Sequence, residues 1–137
     1  MNNRIADKIK ELELYLSELE TIKPSTLEEY KGDIKTKAAC ERYAERIIEA
    51  FVDLAFLIIK EQDFRPPEND TEAFVILAEN NILSQELCDK LQDAKGMRNI
   101  IAHQYGEIDD SIVFHVLDEE LITDVRAFIA CVLKVLT

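Results

Sequence analysis

Tryptophan is absent from the 137 residues, glycine and proline number three each, and there are only two histidines. So few turn-forming residues, set beside many Leu, Ile, Ala, Glu and Lys, point to an all-α chain of helices joined by short loops. No apolar run approaches the roughly 18 residues needed to cross a bilayer, so no membrane span is expected. The first ten residues are charged throughout, which leads to the expectation of no signal peptide and a cytoplasmic location. Cys40, Cys88 and Cys131 are odd in number and far apart, and no Cys-x-x-Cys or His–Cys cluster accompanies them. They read as reduced core residues, not as a disulfide frame or a metal site, and no metal or other cofactor is expected.

The length suits one domain, residues 1–137, large enough for one hydrophobic core. Net charge is −12 but uneven: residues 1–60 hold 10 Lys+Arg against 12 Asp+Glu, and residues 61–137 hold 6 against 16. Such acidity repels a phosphate backbone at long range and argues against nonspecific nucleic-acid binding, while leaving room for a local basic cleft.

Ile5, Ile9, Leu12, Leu16 and Leu19 repeat at four- and three-residue steps, the stripe of a helix over residues 3–22. Lys23-Pro24 ends it. Ser25 with Glu28 suggests a capping box for a long helix reaching Gln62, with a break near Gly32. Arg65-Pro66-Pro67 reads as a rigid connector to a short helix over residues 71–80. Ser84 then caps a helix ending at Gln104 or Tyr105, Gly106 stops it, and Asp109 or Asp110 caps a final helix. Four long helices and one short one make an up-and-down bundle.

On the long second helix, Cys40, Ala44, Ile47, Ile48, Phe51, Leu54, Ala55, Ile58 and Ile59 form a core face. Lys35, Arg42, Arg46 and Asp53 cluster on the opposite face, yet Val52, Phe56 and Leu57 flank Asp53, making the helix apolar nearly all round there. Either the fifth segment of the fold covers this face or a second subunit does. In the second case Asp53 is a partly buried carboxylate in need of a cationic or hydrogen-bonding partner.

The chemistry concentrates in residues 98–105, Arg98-Asn99-Ile100-Ile101-Ala102-His103-Gln104-Tyr105. On a regular helix Arg98 and Tyr105 lie about 20° apart, Asn99 and His103 share a neighbouring line, and Arg98 and His103 are about 140° apart. Arg98 and His103 can face one pocket only if it straddles the helix edge or is completed by another subunit. The plainer alternative is a helix C-terminus in which His103 caps carbonyls and Tyr105 packs its ring. His115 lies outside this stretch and reads as structural or simply exposed.

Arg98, His103 and Tyr105 match the Arg-x-x-x-x-His-x-Tyr motif, and on it the chain resembles the HepT-like toxins of the HEPN superfamily. The resemblance extends through Glu41-Arg42 and residues 47–53, through Arg65-Pro66-Pro67 to Phe74 and Leu77, and through the Tyr-Gly-Glu-Ile-Asp continuation at 105–109. It implies a HEPN-like bundle acting as a metal-independent endoribonuclease, the toxin of a toxin–antitoxin pair. Arg98 and His103 are then the catalytic residues, contributed by two facing subunits of a homodimer. The implied partner is a minimal nucleotidyltransferase antitoxin that silences the toxin by adding AMP to Tyr105. Asn99 matches a polar residue that often follows the family's arginine, and Arg42, Arg46 and Asp53 complete the expected RNA-binding set. A non-catalytic helical companion of a nucleotidyltransferase is the other reading.

These residue types suit the reaction. RNA carries its own nucleophile, the 2′-hydroxyl, so a neutral imidazole can take its proton near neutral pH. A guanidinium offers a fixed fork of donors to phosphate oxygens.

Overall fold

The computed structural model describes residues 2–103 and 109–136, and every regular element among them is helical. In chain order these are α1 (Asn3–Ile22), α2 (Leu27–Gly32), α3 (Ile34–Glu61), α4 (Asp70–Glu79), α5 (Gln85–His103), α6 (Asp110–His115) and α7 (Leu121–Leu136). A π-helical turn, Val116–Glu120, joins α6 to α7. Four long helical stretches (α1, α3, α5 and the run from α6 to α7) with short α4 correspond to the expected bundle. The helix over residues 3–22 and all nine core-face positions of α3 are where periodicity places them.

Three local features depart from the sequence reading, while the break near Gly32 falls at its expected place and separates a six-residue helix, α2, from α3. Its cap is Thr26, which accepts from the Glu29 amide at 3.2 Å, so the capping position falls one residue after Ser25. The short helix begins at Asp70 with Asn69 as its cap. The π turn left no signal in the hydrophobic pattern. By contrast, Ser84 caps α5 through the Leu87 amide at 3.1 Å, and Asp109 caps α6 through the Ser111 amide at 2.9 Å.

Two helix ends steer the chain by the same device. Asp63 and Asn81 adopt left-handed backbone, with φ of 58° and 60°. Beside them the Phe64 amide reaches Ile59 and the Ile82 amide reaches Leu77, the crossed pattern that closes a helix C-terminus. Short polar side chains tolerate this conformation better than most residues.

Helix α3 is the hub and touches α1, α2, α4, α5 and α7. Its Phe51 ring meets Phe74 of α4 and Phe128 of α7 edge-on, with centroids 5.7 and 6.4 Å away. Edge-to-face packing is the favoured arrangement for such rings, so this trio fixes how three helices meet. Cys40 and Cys88 are buried and Cys131 half-buried, all as free thiols, and burial pushes the Cys40 thiol up to about 11.

Candidate active site

The two flanks of α3 are built differently. On one flank α1 runs antiparallel, tied by a ladder of polar contacts. Asn2 donates to Glu61 at 3.1 Å, Lys8 approaches Asp53 at 3.5 Å, and Tyr43 donates to Glu18 at 2.6 Å. Arg46 belongs to this flank: its guanidinium lies 5.9 Å from the Tyr15 ring centroid and donates to the Tyr15 hydroxyl at 3.5 Å. Arg42 is exposed and pairs with Glu45 of its own helix at 3.5 Å.

On the other flank α3 and α5 diverge around a cleft of about 440 Å³. Arg98, Asn99 and Lys95 of α5 line it from one helix and Glu49, Val52 and Asp53 of α3 from the other, joined by Asp70 of α4. The Arg98 Nη2 donates to Glu49 Oε1 at 2.9 Å, while its Nε is buried with no hydrogen-bond partner among the described residues. Arg98 therefore sits half-buried with part of its donor fork uncommitted. Sequence reasoning missed Glu49 and Lys95. Their spacing held the signal, since Glu49 lies one turn before Asp53 and Lys95 one turn before Arg98.

Of the expected site residues, the fold brings Arg98, Asn99 and Asp53 to this cleft and leaves Arg42 and Arg46 outside it. Asp53 is not a partly buried carboxylate in this chain: its side chain is 62% exposed, with Lys8 beside it. The last helix does not cover the Val52–Leu57 face, because α7 packs on the Phe51 side instead. Val52 is buried along the α5 cleft, and half-buried Phe56 borders both that cleft and a second groove of about 790 Å³ between α1, α3 and the 63–67 connector, which half-buried Leu57 also lines.

His103 is the last residue of α5. Its side chain, and all of Tyr105 and Gly106, lie outside the described residues. The helix is unbroken from Gln85, so position 103 falls about 140° around the axis from Arg98, between the lines of Asn99 and Ile100, both exposed. One chain thus sets the two motif positions on different sides of α5. Asp110 anchors α6 to α3 through Lys37 at 2.8 Å, and this hydrogen-bonded pairing raises the Lys37 ammonium above its ordinary value. His115 is exposed, with Glu119 at 3.1 Å. Among the described residues no three His, Cys, Asp or Glu side chains are grouped to hold a metal ion, and no helix is long and apolar enough to cross a membrane.

This arrangement has close counterparts. An mRNA nuclease HepT of Shewanella oneidensis is 30% identical over 121 residues, which cover 88% of this chain and 90% of that protein. A tRNA nuclease HepT of Aphanizomenon flos-aquae is 28% identical over 100 residues, 73% of this chain and 68% of that one. The solved structure of a tri-AMPylated Shewanella oneidensis HEPN toxin in complex with MNT antitoxin superposes with a TM-score of 0.90 at 28% identity, covering 98% of this chain and 99% of its counterpart. The family profile described as ribonuclease HepT-like matches residues 5–132, nearly the whole bundle, and the chain belongs to that family.

Proposed function

We propose that this protein is a metal-independent endoribonuclease, the toxin of a toxin–antitoxin pair, acting in the cytoplasm as a homodimer. The observation that carries the reading is Arg98, held half-buried in the α3–α5 cleft by Glu49, five residues before His103 in the Arg-x-x-x-x-His-x-Tyr motif. The nuclease names of its relatives support the same chemistry.

In the proposed reaction His103 takes the proton of a ribose 2′-hydroxyl, whose oxygen attacks the adjacent phosphorus. The bond from phosphorus to the 5′-oxygen breaks, a 2′,3′-cyclic phosphate forms, and the imidazolium so produced returns its proton to the leaving oxygen. Arg98 donates to the phosphate oxygens as charge builds on them, the kind of stabilisation that is worth most in a cleft shielded from water. Asn99 and Asp53 border the substrate path, and Arg42 and Arg46 extend a cationic track along α3 toward more distant phosphates. The roughly 140° between Arg98 and position 103 is the reason for two copies: each pocket takes Arg98 from one chain and His103 from the other. The half-buried Phe56 beside Val52 and Asp53 is the proposed contact.

The proposed partner is a minimal nucleotidyltransferase, which silences the toxin by modifying Tyr105. The tyrosine oxygen attacks the α-phosphate of ATP, pyrophosphate leaves, and the attached AMP brings a phosphate that competes for Arg98. The relative solved with its antitoxin in the AMPylated state supports this.

The test is cleavage of RNA by purified protein in excess chelator. Activity should persist there and disappear in His103→Ala. Activity that vanished with chelator and returned with magnesium would overturn the mechanism. Intact mass after incubation with the nucleotidyltransferase and ATP should rise by AMP units in wild type and stay unchanged in Tyr105→Phe. An equal rise in both would remove Tyr105 as the switch.

A further inference from the structure

We infer that Glu49 is the positioning residue of the active site: it fixes the Arg98 guanidinium so that the free edge of its donor fork faces the substrate phosphate. The inference rests on the ribonuclease reading, but its geometry stands by itself.

Arg98 leaves α5 on a long side chain with several rotatable bonds, and at 35% exposure the walls of the cleft alone do not hold it. Two contacts define its pose. The Nε edge is turned inward, buried and without a hydrogen-bond partner among the described residues, and Nη2 donates to Glu49 Oε1 at 2.9 Å. With one edge inward and one nitrogen tied to α3, the remaining Nη1 edge is the one left for a ligand. Both anchors stand on long helices of the hub packing, so the pose is fixed before substrate arrives.

The same carboxylate could instead occupy the phosphate's own seat and have to be displaced. The contact geometry argues against this. A carboxylate standing in for a phosphate takes two parallel N–H donors of the fork, whereas Glu49 takes one, through one oxygen. Lys95 lines the same cleft as Glu49. An arginine displaced by about an ångström from the reacting phosphate loses on the order of 10²-fold in rate. A positioning role therefore predicts a loss in kcat, and a competing role predicts a gain in RNA affinity.

The experiment compares wild type, Glu49→Ala and Glu49→Gln. Steady-state cleavage of one defined RNA is measured together with the Arg98 Nε–Hε signal in ¹⁵N-labelled protein, assigned by its loss in Arg98→Ala. Glu49 is 45% exposed, so both variants are expected to fold, and the thermal midpoint checks it. Glu49→Ala should lower kcat by about 10- to 100-fold with KM within a few-fold, and move the Arg98 signal to the position of a solvated arginine. Glu49→Gln keeps an acceptor oxygen at the same place and should retain both most of the rate and the ordered signal. Unchanged kcat in Glu49→Ala, a fall in KM alone, or equal damage in both variants would overturn the inference. A wild-type protein that cleaves no RNA would sink the ribonuclease reading instead, and the Arg98 signal would still decide whether Glu49 orders the guanidinium.

Discussion

The α1 flank of α3 and its α5 flank use similar residues toward different ends. On the α1 flank Lys8 lies between Glu11 at 2.8 Å and Asp53 at 3.5 Å, and Arg46 rests on Tyr15. Its hydrogen bond to Glu11, then the charges around it, raises the Lys8 ammonium above its ordinary value. On the α5 flank, among the described residues, Arg98 is tied through Nη2 alone and its Nε is buried without a partner. A buried donor left unmade is costly, so a fold keeps one where something else is to be gained. The contrast teaches that the count of charges on a helix face says little about chemistry. What marks a site is a charge held in place with donors to spare.

Removing one arginine from each flank should have very different consequences. Arg98→Ala should lower RNA cleavage by about 10²–10⁴-fold, the usual effect of losing a transition-state donor. Arg46→Ala should leave kcat intact and weaken RNA binding by a few-fold at low salt, an effect that fades as salt rises. Equal losses in the two variants would erase the distinction between the flanks.

The ridge between the two flanks is the next target. Phe56→Glu places a charge on the half-buried apolar contact proposed for the dimer, and a folded, monomeric and inactive protein is expected by sedimentation and by cleavage assay. Mixing Arg98→Ala with His103→Ala protein should restore activity, because some mixed dimers contain one intact pocket. A wild-type monomer that cleaves RNA would remove the composite site.

Smaller effects test the claim that the α1 ladder is structural. A double-mutant cycle on Lys8 and Asp53 should give a coupling of about 0.2–1 kcal/mol, read from denaturant midpoints and reduced by salt, because the Asp53 side chain is 62% exposed. The smallest effect concerns Glu41. Burial, reinforced by Asp110 and Glu45, raises its carboxyl above the ordinary 4.5, while Lys37 opposes this. Its charge thus costs stability above the folded value, and the cost disappears as pH falls below 4.5. Glu41→Gln should stabilise the protein slightly at pH 7, by no more than about 0.5 kcal/mol, and the gain should shrink in acid. Thermal midpoints at pH 7 and pH 4 check the sign.

The sequence by itself determined the helices, because burial on one side of a helix leaves a 3.6-residue period that any reader can recover. Ile5 through Leu19 and Cys40 through Ile59 lie buried as that period requires. It also determined the motif at residues 98–105, since residue types at fixed spacing are visible without coordinates. Periodicity cannot say which neighbour covers a given face, because that depends on how helices distant in sequence pack. Only the tertiary structure turned Arg46 toward Tyr15, left Asp53 exposed, and set Glu49 against Arg98 from 49 residues away. Likewise the π turn before α7 follows from no propensity in Val116–Glu120 that we can identify. Helix identity is a local property of the chain, whereas the pairing of one guanidinium with one carboxylate is decided by the angle and register at which two helices meet.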